Sequence, residues 1–229
     1  MSTSGVTNLS GVSAVHAPQI SIEIMVLTVL AARERECDTQ VRRILGGMQL
    51  KNKQLAANAQ AQANITALKS QFPSGAKGDA KLDGNTDTFK NGLTDAQKLE
   101  LSGAAANANT EPEKRIAQQE EMVKKWADSP QKTATLERCA LARMALNVGF
   151  STNTGHQDIN SLIKGDISFD GFETLDVKLK AESDAIGQET AIDQIGLQSW
   201  IGKLNNIITL LSTLVKKFEE MVAGIINKT

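Results

Sequence analysis

The sequence predicts an all-α protein whose long N- and C-terminal helices pair as an antiparallel coiled coil around a smaller, mostly helical or loop central insertion. Three observations predict it. Near the end of the chain Leu197, Ile201, Leu204, Ile208, Leu211, Val215, Phe218, Val222 and Ile225 are all apolar, at alternating steps of 4 and 3 residues. That spacing winds one helix against another. The composition agrees: 41% of the residues are hydrophobic, yet there are six Phe, two Trp and no Tyr, so the core is built from the small and aliphatic side chains of helix seams. Finally, "PSGAKGDAKLDGNTD" (Pro73 to Asp87) gathers glycine, proline, asparagine and aspartate, an exposed loop that parts the first long helix from the centre of the chain.

The chain opens on a Ser/Thr/Gly-rich stretch with no Lys or Arg before Arg33. This opening reads as mobile in a free monomer, and it lacks the charged start of a secretory signal. The first long helix is expected from Pro18–Ser21 to about Ser70, with proline tolerated in its first turn. Ile24 to Ala32 is apolar on nearly all sides and predicts burial on more than one face. This run is too short to span a bilayer. Ile24 and Leu27 lie in it, and Cys37, Val41, Ile44 and Met48 continue at steps of 4, 3 and 4. Gly46–Gly47 marks a close helix contact or a kink. From Gln54 to Leu68 the helix is Ala/Asn/Gln-rich and uncharged, which serves either close packing or simple helix propensity.

Short helices are expected at Asp95–Ala106, after Thr110 with Pro112 in the first turn, and from Pro130, where Leu136, Ala140, Met144 and Val148 repeat at four. "IKGDISFDGFETLDVKLKAE" reads as turn-rich, with Ile167 and Phe169 alternating as a short strand or loop clip. The last helix is expected from near Leu175, with an interruption at Gly187 or Gly196. The chain thus divides into four regions: a flexible N-terminus at 1–17, a coiled-coil helix at 18–72, a variable solvent-facing centre at 73–174 and a coiled-coil helix at 175–229. Burying the nine seam residues is worth on the order of 15–25 kcal/mol before entropy is subtracted, so the last helix needs a partner.

The sequence does not read as an enzyme, and it offers no cofactor or metal site. Its two histidines, His16 and His156, both fall in loop-like segments, and the known nucleotide, nucleophile and zinc motifs are missing. "DISFDGFE" faintly resembles a calcium loop, but its twelfth position is Val177 where a carboxylate is needed; a tight turn explains it better. Net charge is −1 and the Lys and Arg residues are interleaved with acids, so nucleic acid is not an expected partner. Cys37 and Cys139 sit on apolar helix positions and read as buried thiols. Residues 33–53 carry six basic against three acidic side chains, and 157–193 carry nine acids against three lysines. Such zones either guide packing or form a solvated face.

The order of these elements resembles that of the type III secretion translocator filament proteins, the EspA and SseB group, with the needle-tip proteins as more distant analogues. The resemblance is carried by the Ser/Thr-rich start before "ISIEIMVLTVLAARERECDTQ", by "INSLIKGDISFDGFETL", and by the coil "IGKLNNIITLLSTLVKKFEEM". It covers roughly 18–70 and 156–229, while 73–155 matches no motif of the group. It implies a virulence-associated structural protein, secreted without a cleaved signal through an N-terminal export signal, that polymerises at the bacterial surface into a conduit for effector and translocator delivery. The partners it implies are identical copies, a cytoplasmic secretion chaperone, and needle and translocator proteins, with indirect contact to a host membrane. Self-assembly would then fall to Ile24, Leu27, Val41, Ile44 and Met48 and to the seam from Leu197 to Ile225, including Trp200. Trp200, Ile207, Leu214 and Met221 form a second apolar row beside that seam. The competing readings are a membrane-active helical translocator or pore-former, and a phage or virion structural coiled coil.

Overall fold

The computed structural model describes residues 16–82, 92–106, 111–150 and 157–227, excepting the side chains of 16–21, 23 and 102–106. The expected flexible N-terminus, the Thr110 cap, the His16 side chain and His156 lie outside the described residues. Six helices form among the described residues: α1 (His16–Lys69), α2 (Asp95–Ala106), α3 (Pro112–Lys124), α4 (Pro130–Asn147), α5 (Ile159–Lys164) and α6 (Phe169–Ile226). The all-helical class is as predicted, with long-range contacts between α1 and α6. The chain divides into two compact units, one formed by 50–190 and the other by 1–49 with 191–229.

The 50–190 unit holds most of the core. Local signals set its helix ends. Thr94 and Gln97 form a reciprocal cap before α2, each side chain bonding the other's backbone N–H at 3.2 and 2.9 Å, as a capping box should. The Ser129 hydroxyl accepts from Lys132 N ahead of Pro130. Asp158 accepts from Asn160 N and Ser161 Oγ, both at 2.9 Å, to start α5, and Gly165, at φ 75°, ends it in the left-handed conformation. α3 starts at Pro112 after Glu111, with no side-chain cap.

Ile65, Ile116, Ala142, Ile159, Phe172, Leu175 and Leu179 are fully buried in one cluster from α1, α3, α4, α5 and the start of α6. Phe72 meets Phe169 and Phe172 edge to face, with centroids 5.3 and 6.1 Å apart. Arg143 grips Glu120 through two 2.8 Å bonds and ties α4 to α3. The expected α4 row is corrected. Ala140 is exposed, and the buried face runs through Thr135, Arg138, Cys139, Leu141, Ala142 and Ala145, because a strict step of four drifts round a 3.6-residue helix.

The start of α6 is also corrected: it lies at Phe169, six residues before the expected Leu175. The Ser168 hydroxyl caps it by accepting from Gly171 N at 3.2 Å. Asp170 is a latch rather than part of a turn. Its Oδ1 accepts from Gly78 N at 2.9 Å, while its own N–H donates to Gly78 O and Phe169 N donates to Ala80 O. The clip expected at Ile167–Phe169 is therefore present, closed by an isolated antiparallel bridge between Lys81 and Ser168. No interruption occurs at Gly187 or Gly196; α6 is one helix of 58 residues. Each glycine costs about 1 kcal/mol of helix propensity, too little to break a helix of this length.

Along α1 a row of half-buried or buried residues runs through Leu27, Leu30, Glu34, Cys37, Val41, Ile44, Met48, Lys51, Leu55 and Asn58, at unbroken steps of 3 and 4. In the 50–190 unit it meets α6 through Lys69–Glu173 at 3.3 Å, Asn58–Ser183 at 3.2 Å, Gln54–Glu182 at 3.1 Å and Lys51–Glu189 at 3.0 Å. In the other unit Ile44 lies beside Gly196, 3.8 Å from where a Cβ would stand. Nothing lies within 4 Å of a Cβ built on Gly46 or Gly47, so these glycines mark no close contact.

Phe172→Ala should lower the stability of the 50–190 unit by about 3–5 kcal/mol, read as a shift in its denaturant midpoint. Burial pushes the Cys139 thiol from its ordinary 9.0 to about 12, with Glu120 adding to the rise and Arg143 opposing it. The folded state then keeps its proton where an unfolded thiol has lost it. Stability from this group is complete below pH 9 and is lost as pH climbs toward 12. Urea titrations at about pH 8 and about pH 11 should differ in that direction, and Cys139→Ala should flatten the difference.

Candidate interaction surface

The unit formed by 1–49 and 191–229 is a different kind of object. Among its described residues only Cys37 and Ile207 are buried apolar side chains, so it has no core of the ordinary sort. With Leu197 taken as heptad position a, α6 repeats apolar residues at a (Leu197, Leu204, Leu211, Phe218, Ile225), at d (Trp200, Ile207, Leu214, Met221) and at e (Ile201, Ile208, Val215, Val222). A two-stranded coil needs a and d alone; a stripe of a, d and e belongs to a helix with neighbours on two sides.

Burial separates the rows. From Leu197 to Met221 every a and d residue is half-buried or buried, with Ile207 at 8% exposure. Every e residue is exposed: Ile201, Ile208, Val215 and Val222 stand at 40–46%. Of the predicted seam, Leu197, Leu204, Leu211 and Phe218 point inward, whereas Ile201, Ile208, Val215, Val222 and Ile225 face solvent. The second row, with Trp200, is the inward one. Sequence reasoning ranked the rows in the opposite order because both share the a positions.

On α1, Leu27, Val41, Ile44 and Met48 are half-buried, but Ile24 is 54% exposed. The expectation that Ile24–Ala32 is buried on more than one face fails within this chain. Met25, Val26 and Val29 are exposed beside Ile24, and only Leu27, Leu30 and Ala31 are half-buried. Leu30 and Glu34 complete the inward row and were missed; steps of 3 and 4 back from Cys37 identify both. An open apolar hollow lined by Leu27, Val215, Phe218, Val222, Ala223 and Ile226 joins the two helices at this end.

The chemistry of the borders is uneven. On the d side stand Lys203, held 4.1 Å over the Trp200 ring, and Lys217. On the e side the neighbouring positions are Gln198, Asn205 and Ser212, then Gly202 and Thr209: short, uncharged and exposed. Charge reappears there only at Lys216 and Glu219. Of the basic zone in α1, Lys51 reaches the acidic zone of α6 through Glu189, while Arg42 is held by its own neighbour Asp38 at 2.8 Å. Among the described residues no cluster of His, Cys, Asp and Glu could hold a metal, and no helix is long and apolar enough to cross a membrane. The arrangement can bind another helix over several turns. Comparison with protein-family models, curated proteins and solved structures finds no match to this chain.

Two adjacent residues test the assignment of rows. Ile207→Asp buries an unpaired carboxylate and should destabilise the 197–221 helix turns by about 3 kcal/mol or more, whereas Ile208→Asp should change subunit stability by no more than about 0.5 kcal/mol. Thermal melts followed by circular dichroism distinguish the two.

Proposed function

We propose that this chain is a structural subunit of a type III secretion extracellular filament or needle-tip complex. In this reading α1 and α6 pair as an antiparallel coiled coil within the subunit, and copies assemble through the face that the pair leaves open. The observation that carries the reading is the exposed row Ile201, Ile208, Val215 and Val222, four heptad repeats of apolar side chain on a helix already packed along its neighbouring row. Contiguous apolar surface on this scale marks an interaction site.

Other observations support it. As residue numbers rise along α1 they fall along α6, from Lys69–Glu173 to Lys51–Glu189 and, in the other unit, from Ile44 beside Gly196 to Leu27 in one hollow with Phe218. That order supports the antiparallel reading. The export route, the surface location, and the chaperone, needle and translocator partners rest on the resemblance of the chain's Ser/Thr-rich start, apolar first helix and final coil to the filament group. The absence of an enzymatic role belongs to the same reading of α6 as a binding surface.

Purified protein should form polymers visible by negative-stain microscopy. Val215→Asp should abolish them while changing helicity little, because that side chain is nearly half exposed at the rim of the hollow. If the wild-type protein stays unpolymerised and instead releases dye from liposomes, the membrane-active reading replaces this one.

A further inference from the structure

The e row of α6 could be covered by many things, so what matters is which surface is long enough to match it. Ile201 to Val222 extends about 32 Å at roughly 1.5 Å per residue. The outer face of α1 in the same unit cannot serve. From Arg33 to Gln49 it exposes Arg33, Arg35, Glu36, Arg42 and Arg43, with Leu45 the one large apolar side chain. Its apolar turns at Ile22–Val29 span only about two turns. In the 50–190 unit the exposed large hydrophobics are Leu50, Leu99 and Val177, too scattered to form a row. On α6 itself Ile192, Ile195 and Leu210 are also exposed, but they fall at heptad positions c, f and g and form no row, so among the described residues the surface that matches the e row in length and character is the e row itself.

We propose that the free form of this chain is a two-fold dimer in which α6 of one copy packs against α6 of a second copy through Ile201, Ile208, Val215 and Val222. An isologous contact needs a patch complementary to itself, and the border of this row meets that need. Gln198, Asn205 and Ser212 carry no charge, so pairing like with like sets no equal charges opposite each other over the first two heptads. Their short side chains also let two helices approach at coiled-coil distance. The four e residues, with the outward parts of Leu204, Leu211 and Phe218, bring several hundred Å² per copy, less than one partner's share of a standard stable interface and in the range of a reversible, concentration-dependent dimer. The proposal rests on α6 being an assembly surface but not on the assembly being a filament. It has a regulatory consequence if both hold: a closed pair occupies the row that polymer growth needs, so the dimer is a capped form that must open before copies add.

Gln198→Cys, Asn205→Cys and Ser212→Cys, made singly, test it at concentrations below polymer formation. The native thiols Cys37 and Cys139 are buried and remain in place. Sedimentation should give a monomer–dimer equilibrium, and mild oxidation should give a disulfide-linked dimer from at least one variant: all three if the helices are parallel, one near the two-fold axis if antiparallel. Ile208→Asp should raise the dimer dissociation constant at least about tenfold with an unchanged circular dichroism spectrum. A monomer at every concentration overturns the proposal. So does a set of oligomers from which none of the three variants cross-links, since the contact is then heterologous. Filaments without α6–α6 cross-links would leave the assembly reading standing and remove the dimer; cross-linked dimers without filaments would do the reverse.

Discussion

An apolar stripe too wide for one neighbour governs this protein. α6 carries side chains at a, d and e over four heptads, and a single packed helix covers an arc of about two positions in seven. From Leu197 to Met221 the a and d rows are half-buried or buried, while the e row stays 40–46% exposed. Among its described residues the 1–49 and 191–229 unit buries two apolar side chains outright although both its helices are rich in Ile, Leu, Val and Met. Its apolar stripe is wider than the face it buries. In the 50–190 unit the same two helices are better covered because α3, α4 and α5 supply the missing neighbours, and residues such as Phe172 and Ile65 become fully buried there.

Polar groups within the row fix its register. Asn58 is buried in the α1 row and donates to Ser183 Oγ, which itself donates to Leu179 O at 2.8 Å. On α6 the inward residues step by four twice here, from Leu175 to Leu179 to Ser183, a local break in the heptad. A one-residue slip would leave the Asn58 amide buried without a partner, a cost on the order of 1–3 kcal/mol. Lys51–Glu189 and Lys69–Glu173 lie on the rim and add little energy by themselves, but they oppose the same slip.

Much of the fold was legible in the sequence because its signals are local. Ser129 before Pro130, Thr94 three residues before Gln97, and the Gly/Pro/Asn/Asp cluster after Phe72 act within a few residues, and α2 and α4 begin where they indicate. Two kinds of feature were hidden. The start of α6 reads as a turn because Asp166, Asp170, Gly165 and Gly171 crowd around it; what makes it a helix is a latch to Gly78 and Ala80, far back along the chain. The facing of α6 was hidden differently. Rows a/d and a/e have equally regular spacing, and hydrophobicity cannot rank them. The ranking depends on where α1 lies. The best discriminator in the sequence was the border: Lys203 and Lys217 flank d, while Gln198, Asn205 and Ser212 flank e.

That border also explains how an exposed apolar row can be tolerated. Lysines beside the d row can lay their methylene stems over the seam and keep their charges wet, or set the charge on an aromatic face, as Lys203 does with its ammonium 4.1 Å from the Trp200 ring centroid. The e side has no such shield, since short amides and hydroxyls cover little surface. A row meant to stay in solvent would gain solubility from charge at these positions, at almost no cost to helix propensity. Short neutral side chains there favour contact instead: they leave the Ile and Val methyl groups proud of the helix and demand little desolvation when a partner arrives. The unshielded side of α6 is therefore the side on which contact costs least.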